Sequence, residues 1–266
     1  MVIRISHPHF LAWPSVLLSL AVLSCSACGK GAEGKKESTS VENSIDTTQV
    51  FTDPQAAQVA EAAAKGDTAR IAQLIKAGAS PSAVGDKGTS LLEWAMLNKN
   101  KASFEALLTA GADPTHADEQ GDTVMHYAAK ANDAAYLDIL LAHHVDVNTP
   151  NLISGATPLM GAMMAERDAQ YQKLMQSGVE LNATDRAGNT PLHVAAKINE
   201  NQKVLDLLKA GADPTKKNRQ NATFQRYLNM TPSSILSADA RRQREEVVAW
   251  LREHNVPVED AQPKKN

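Results

Sequence analysis

The chain is poor in cysteine, in aromatic residues and in net charge. It has two cysteines in 266 residues, its aromatic content is 4%, and its formal net charge is −3. Both cysteines, Cys25 and Cys28, lie close to the N-terminus, so no disulfide framework supports the rest of the chain. The weak net charge excludes the basic field that nucleic-acid-binding proteins use. After residue 24 no apolar run is long enough to span a membrane.

The first 24 residues have the pattern of a targeting segment. Arg4 supplies positive charge, and LAWPSVLLSLAVL (residues 11–23) is an apolar run too short for a spanning helix. The SCSAC that follows resembles the cleavage site of a bacterial lipoprotein signal, in which small residues precede a cysteine that is lipidated. Ser26 and Ala27 fit those small positions, so we take Cys28 as the lipid anchor. Cys25 as the anchor, and plain secretion without one, are the alternatives.

The anchor divides the N-terminal region into a signal peptide, residues 1–27, and a flexible tether, residues 28–52. Residues 29–49 are polar and nearly free of bulky apolar side chains, so they cannot bury enough surface to fold. Cys28 is not followed by aspartate. By resemblance to lipoprotein sorting this favours the outer membrane over the inner, with the membrane reached through the lipid alone.

Two short sequence motifs, which we call phrases, recur along the rest of the chain at nearly the same spacing. GADPT starts at Gly111 and returns unchanged at Gly211. Related versions give starts at 78, 111, 144, 178 and 211, in steps of 33, 33, 34 and 33 residues. GNTPLHVAA and its variants start at 88, 121, 155 and 188, in steps of 33, 34 and 33. A period of this length indicates units that stack on one another.

These phrases resemble the ankyrin repeat family over about residues 53–258. Residues 185–196, DRAGNTPLHVAA, nearly reproduce the DxxGxTPLHxAA that opens such a repeat, and GADPT resembles its closing LLxxGADxN. Thr190 suits a helix cap, Pro191 the first helical position, and Gly211 a left-handed helix end. The resemblance implies an all-α repeat solenoid of about six helix–turn–helix units joined by β-hairpin fingers. The expected repeats are about 53–84, 85–117, 118–150, 151–184, 185–217 and 218–258, with a tail at 259–266.

Two irregularities interrupt the pattern. His144 replaces a closing glycine, which predicts a side chain in a left-handed position at a cost of about 1 kcal/mol. TPSSILSA, starting at Thr231, is interpreted as the inner helix of the sixth repeat, although it follows Thr190 by 41 residues. We therefore predict an enlarged finger at residues 216–230, which either binds a partner or covers the edge of the solenoid.

No catalytic constellation stands out in the sequence. His126 and His193 occupy the histidine of the TPLH phrase, which the family uses to tie a helix start to neighbouring backbone. The patterns GxSxG and HExxH and the calcium-loop spacing are missing. We therefore expect no enzyme activity, no metal site and no cofactor.

The family resemblance implies that a protein partner binds the concave face, beside the hairpin glycines and after the AA pairs. The candidate partner-binding residues are Leu97, Glu119, Asp122, Leu152, Ile153, Met164, Arg186, Asn189, Ile198, Arg219, Phe224, Arg226 and Tyr227. This set is acidic in the third repeat, apolar in the fourth, and basic and aromatic beyond. Leu152 and Ile153 at a hairpin tip are unexpected on a surface that meets only solvent.

We expect a lipid-anchored, periplasmic protein-binding module that is monomeric by itself and does not bind nucleic acid. Lipoproteins with ankyrin repeats occur among the immunity partners of type VI lipase effectors. One version is therefore an immunity protein that inhibits a secreted antibacterial effector. The alternative is a housekeeping envelope scaffold that supports another periplasmic enzyme or complex.

Overall fold

The structure is a computed structural model that describes residues 47–259. The expected signal peptide, Cys28 and residues 28–46 of the tether lie outside the described residues, as do residues 260–266. The helices are α1 Thr47–Val50, α2 Pro54–Lys65, α3 Thr68–Lys76, α4 Leu91–Leu97, α5 Lys101–Thr109, α6 Val124–Lys130, α7 Ala135–Ala142, α8 Pro158–Met164, α9 Asp168–Met175, α10 Pro191–Lys197, α11 Asn201–Lys209, α12 Phe224–Leu228 and α13 Ala238–Glu253. None of these helices is long and apolar enough to cross a bilayer.

The helices after α1 form six consecutive pairs, which we number as repeats one to six. The first helices of the pairs are α2, α4, α6, α8, α10 and α12, and each of the first five packs on the first helix of the next pair. Their interface includes a row of fully buried alanines, which lets the helix axes approach closely: Ala95, Ala128, Ala162 and Ala195. The predicted all-α repeat solenoid is confirmed.

The threonine and histidine of the TPLH phrase fix the start of a first helix and tie it to the next repeat. The Thr190 backbone N–H donates to Nδ1 of His193 at 3.2 Å, so Nδ1 carries no proton. The proton is therefore on Nε2, which donates to the Ala222 carbonyl of the next repeat at 2.9 Å. His126 makes the equivalent bond to Ala156 at 3.1 Å. Burial lowers the pKa of both imidazoles and keeps them neutral.

The packed chain begins earlier than the sequence predicts. Residues 47–52, which the sequence pattern assigns to the tether, include α1 and place Phe51 in the core. The Phe51 ring meets the Trp94 ring edge to face, with centroids 5.7 Å apart. The prediction misses this segment because it precedes the first recognisable repeat phrase.

The predicted enlarged finger at residues 216–230 is wrong. Thr223 caps α12, and it follows Thr190 by 33 residues, so the sixth repeat opens in register with the others. Thr231 lies beyond that helix. The surplus length is in residues 229–237, which connect α12 to the long α13. The sequence hides this because FQRYL, from Phe224, replaces the PLHVA expected after the threonine.

The C-terminal segment closes the sixth repeat. Gln225 stands at the buried position that Leu192 holds in repeat five, and its Nε2 donates to the Pro257 carbonyl at 3.0 Å. Its Oε1 accepts the Glu259 backbone N–H at 2.9 Å, and Thr223 Oγ1 donates to the Glu259 carboxylate at 2.7 Å. Glu259, which the sequence pattern assigns to the tail, is therefore bonded to the first helix of the last repeat.

His144 adopts the left-handed conformation predicted for it, with φ 55°. The glycines at the equivalent position, Gly111 and Gly178, have φ of 87° and 78°. A residue with a Cβ therefore carries a conformation that favours glycine, at a cost of about 1 kcal/mol.

Candidate functional site

The tips of the hairpins between repeats are tied to one another by backbone hydrogen bonds. Each tip donates an N–H to a carbonyl of the preceding hairpin, over 2.8 to 3.1 Å. The donor and acceptor pairs are Glu119 to Lys87, Leu152 to Gly121, Arg186 to Ser154, and Arg219 to Ala187. We call the surface made by these tips and by the C-terminal ends of the first helices the inner face.

The tip of repeat four contains one more residue than its neighbours. This residue accounts for the 34-residue step between Gly121 and Gly155. The buried Asn151 organises the longer turn, since its Oδ1 accepts the backbone N–H groups of Ile153 at 2.9 Å and Ser154 at 2.7 Å. The turn leaves Leu152 62% and Ile153 55% exposed.

Gly121 is required where this tip crosses the preceding hairpin. Its φ is +76°, and a Cβ built on it would lie 2.7 Å from the Ile153 nitrogen. Any side chain at this position would therefore displace the tip that presents Leu152 and Ile153.

In repeat three the inner face is covered by paired polar side chains. The Tyr127 hydroxyl donates to the Asp118 carboxylate, and the Lys130 ammonium pairs with Asp122. Asn151 of the next hairpin donates its Nδ2 to the other Asp122 oxygen at 2.8 Å. Asp122, a predicted partner-binding residue, is therefore held by two side chains of its own chain, whereas Glu119 beside it is exposed.

Repeats five and six share a second polar network. Asn189 donates its Nδ2 to Asp185 at 2.8 Å, and its Oδ1 accepts Lys197 Nζ at 2.7 Å and Asn218 Nδ2 at 2.9 Å. Asn218 Nδ2 also donates to the Tyr227 hydroxyl at 2.7 Å. Asn189 and Tyr227 are both buried, so their prediction as exposed partner-binding residues is wrong. Their side chains serve this network.

Phe224 is likewise not a surface residue. It is the first residue of α12 and is only 1% exposed. It occupies the position that Pro191 holds in repeat five, directly after the capping threonine, where the side chain enters the core. The aromatic part of the predicted surface is therefore absent, whereas Arg219 and Arg226 are exposed as expected.

The ends of the first helices form a row in which apolar and basic side chains alternate. The residue seven positions after each capping Ser or Thr is, in order, Leu97, Lys130, Met164, Lys197 and Met230. The apolar members are exposed, and Met164 is 63% exposed. Ile198, next to Lys197, is also exposed. The sequence prediction misses Met230 because it places the sixth repeat out of register.

Charge on the inner face is asymmetric. Within residues 47–259, Arg186, Lys197 and Arg219 form no salt bridge. Arg186 instead donates to the Leu152 carbonyl, and Lys197 Nζ lies 4.5 Å from the Tyr227 ring centroid. Repeats five and six therefore present positive charge that is not paired in a salt bridge within the described residues.

A buried carboxyl lies beneath the acidic end of this surface. Burial raises the pKa of Glu93 to about 7, against hydrogen bonds from Ser90 that lower it, and Asp118 and Asp122 raise it further. Its Oε2 accepts the Ser90 N–H at 2.6 Å, which caps α4. Glu93 stands where His126 stands in repeat three, so its group belongs to a helix cap. Over residues 47–259 no three His, Cys, Asp or Glu side chains are placed to hold a metal ion.

The arrangement is suited to binding another protein. It offers exposed apolar side chains on a rigid frame, with unpaired positive charge on one side. Aliphatic and arginine side chains held in this way bury area and form charge-assisted bonds with another protein.

Comparisons with known proteins agree with this architecture. A family model described as "Ankyrin repeats (3 copies)" matches residues 59–151 and 137–218. Protein PhlB of Serratia liquefaciens is 43% identical over 144 residues, 53% of this chain and 62% of PhlB. Oxysterol-binding protein-related protein 1 of Rattus norvegicus is 42% identical over 65 residues, 24% of this chain and 7% of that protein. The chain thus covers less than two thirds of the length of either relative.

Among solved structures, the ankyrin repeat domain of Bcl-3, a unique member of the IkappaB protein family, resembles the fold. Its TM-score is 0.62 at 25% sequence identity, over 72% of this chain and 81% of that one. The family match covers more than half of the chain, and both the period and the helix pairing agree with it. The chain belongs to the ankyrin repeat family.

Proposed function

We propose that this chain is a lipid-anchored, periplasmic protein that captures a partner protein on its inner face. The observation that carries the proposal is the exposure of Leu152, Ile153 and Met164 together in repeat four. Neighbouring repeats cover the same surface with polar networks, and an exposed apolar group on a rigid frame is typical of interaction sites. Ankyrin repeats are protein-interaction modules and are typically not enzymes.

The location rests on the N-terminal sequence. The apolar run at residues 11–23 and the small residues before Cys28 support export, lipidation and retention at a membrane, with the outer membrane favoured. Mass spectrometry of the mature N-terminus tests this step. We expect a diacylglyceryl-modified Cys28, and a cytoplasmic chain with an intact Met1 would contradict it.

Within this function, we propose that the chain inhibits a secreted antibacterial effector by covering part of the effector's surface. An inner face with exposed apolar side chains is suited to occlusion, because tight binding alone blocks an enzyme. The test is deletion of the gene while a neighbouring effector gene is expressed with export to the periplasm. We expect lysis that is rescued by the wild-type chain.

Survival of the deletion strain with every neighbouring effector would contradict the inhibitor version. Rescue by a Leu152→Asp variant would instead contradict the role of repeat four in inhibition. Co-purification with a resident envelope enzyme in a strain without such effectors would indicate a scaffold instead.

A further inference from the structure

Repeat four lacks the polar side chains that cover the inner face on both sides of it. Three positions are compared, counted from the capping threonine of each repeat: the residue directly before it, the fourth residue after it and the seventh residue after it. In repeat three these are Asp122, Tyr127 and Lys130. There the side chains at the first and third positions touch each other, so these positions share one surface. In repeat four the same positions hold Ala156, Gly161 and Met164.

Nothing in the fold itself calls for glycine at position 161. It lies inside α8, where glycine costs roughly 1 kcal/mol relative to alanine. Its φ is not positive, and a Cβ built on it would meet only the Lys130 Cγ at 3.4 Å and Cδ at 3.6 Å. The first helices that begin at a capping Ser or Thr, α4, α6, α10 and α12, carry Trp94, Tyr127, Val194 and Tyr227 at this position. The glycine therefore leaves a gap, bordered by the Lys130 stem, at a position where repeats three and five carry a larger side chain.

Apolar side chains of repeat four surround this gap. Met164 follows Gly161 by three residues and lies on the same face of α8, and it is 63% exposed. Leu152 and Ile153 are exposed at the tip of the hairpin that carries Ala156. We call Ala156, Gly161 and Met164 with this tip the repeat-four notch.

The charges that flank the notch differ on its two sides. On the side of repeat three, Lys130 is neutralised by Asp122. On the side of repeats five and six, Arg186, Lys197 and Arg219 have no carboxylate partner within the described residues. An occupant is favoured when it brings carboxylates to that side.

We propose that the partner inserts an aliphatic or aromatic side chain into the repeat-four notch, over Gly161, and places carboxylates against Arg186, Lys197 and Arg219. The occupant is thus a protein segment with an apolar anchor flanked on one side by Asp or Glu. This inference rests on the proposed function and adds the chemistry of the partner.

A random-peptide library displayed on phage tests the proposal directly, because it needs no identified partner. The target is the mature chain carrying Cys28→Ala. We expect enrichment of peptides that contain Leu, Ile, Phe or Trp with Asp or Glu on only one side of it. No enrichment over an uncoated surface, or enrichment of basic peptides, overturns the proposal.

Synthetic versions of the enriched peptides are then titrated against variants at the notch. Gly161→Leu fills the gap and should weaken binding about tenfold or more, whereas Gly161→Ala should change it little. Both substitutions favour the helix, so a binding loss with an unchanged or raised Tm is not caused by unfolding. Met164→Asp, at an exposed side chain, is a second variant that should weaken binding. Equal affinity for wild type, Gly161→Leu and Met164→Asp overturns the notch.

The charge component has its own control. Lys197→Glu should weaken binding several-fold and reduce its dependence on salt, whereas Lys209→Glu, an equal charge change on α11, should not. Equal effects of the two substitutions overturn the assignment of carboxylates to this side. Peptide binding at the notch in a chain that proves cytoplasmic would contradict the proposed location and leave the notch intact. If the chain inhibits an effector and Gly161→Leu does not change that inhibition, the result would contradict the notch and leave the proposed function intact.

Discussion

The Nδ2 atom of Asn218 lies 2.7 Å from the Tyr227 hydroxyl, which in turn donates to Gln220 Oε1 at 2.7 Å. This pair of bonds joins the last hairpin to α12. A tyrosine that the sequence pattern places on an exposed finger is thereby part of the frame that holds the inner face.

Tyr227→Phe should lower the free energy of unfolding by about 1–2 kcal/mol, because it leaves the buried Asn218 amide short of an acceptor. Urea denaturation followed by circular dichroism measures the change. Tyr136→Phe is the matched control, since the buried Tyr136 hydroxyl has no partner within the described chain. We expect that variant to be neutral or slightly more stable. Equal losses in both would contradict the role of the Asn218 bond.

Phe224→Ala should be strongly destabilising, by about 3–5 kcal/mol, because the ring is fully buried at the start of α12. Its neighbour Arg226 is exposed, so Arg226→Ala should stay within about 0.5 kcal/mol of wild type. The same denaturation experiment compares them. A near-neutral effect of Phe224→Ala would contradict the burial of this ring and support the predicted enlarged finger at residues 216–230.

Glu93 makes stability depend on pH in a definite direction. Its folded pKa of about 7 lies above its ordinary value of 4.5, so between these values the folded chain keeps a proton that the unfolded chain loses. The stabilisation is fully present below about pH 4.5 and is lost as pH rises through 7. Relative to Glu93→Gln, which has no such proton, wild type should lose about 3 kcal/mol across this window.

Thermal and urea unfolding of wild type and Glu93→Gln at several pH values isolates this group, since the other titrations cancel in the difference. Glutamine can still accept the Ser90 N–H, so the helix cap is kept. A difference that is flat with pH, or that rises in favour of wild type, would show that the carboxyl ionises freely in the folded chain.

The sequence predicts those parts of the fold that depend on local phrases with a fixed spacing. Thr190, Pro191 and His193 act in the order that the TPLH phrase implies, because capping and the bond to the next hairpin need only local geometry. The left-handed His144 is predictable for the same reason. Leu152 and Ile153 are predicted at a tip because they stand beside the glycine that ends it.

The sequence predictions are wrong where the repeat motif is missing and contacts between distant segments stabilise the structure instead. In repeat six Phe224 and Gln225 take the places of proline and leucine, and Gln225 is satisfied by Pro257, 32 residues away. No local pattern indicates that bond. Asn189 resembles a tip residue, but Asn218 of the next hairpin buries it. Gly161 carries a usable signal, a glycine inside a helix where aligned repeats have larger side chains, but a glycine alone indicates no ligand.

The central claim, that repeat four is where a partner protein binds, is tested most directly by isothermal titration calorimetry. The partner recovered with the mature Cys28→Ala chain is titrated against wild type, Leu152→Asp, Met164→Asp and Gln172→Asp. Gln172 is exposed on α9, away from the inner face, and serves as the control. We predict that Leu152→Asp and Met164→Asp each weaken binding about tenfold to a hundredfold with Tm unchanged, and that Gln172→Asp has no effect. Wild-type affinity in both repeat-four variants would contradict this claim.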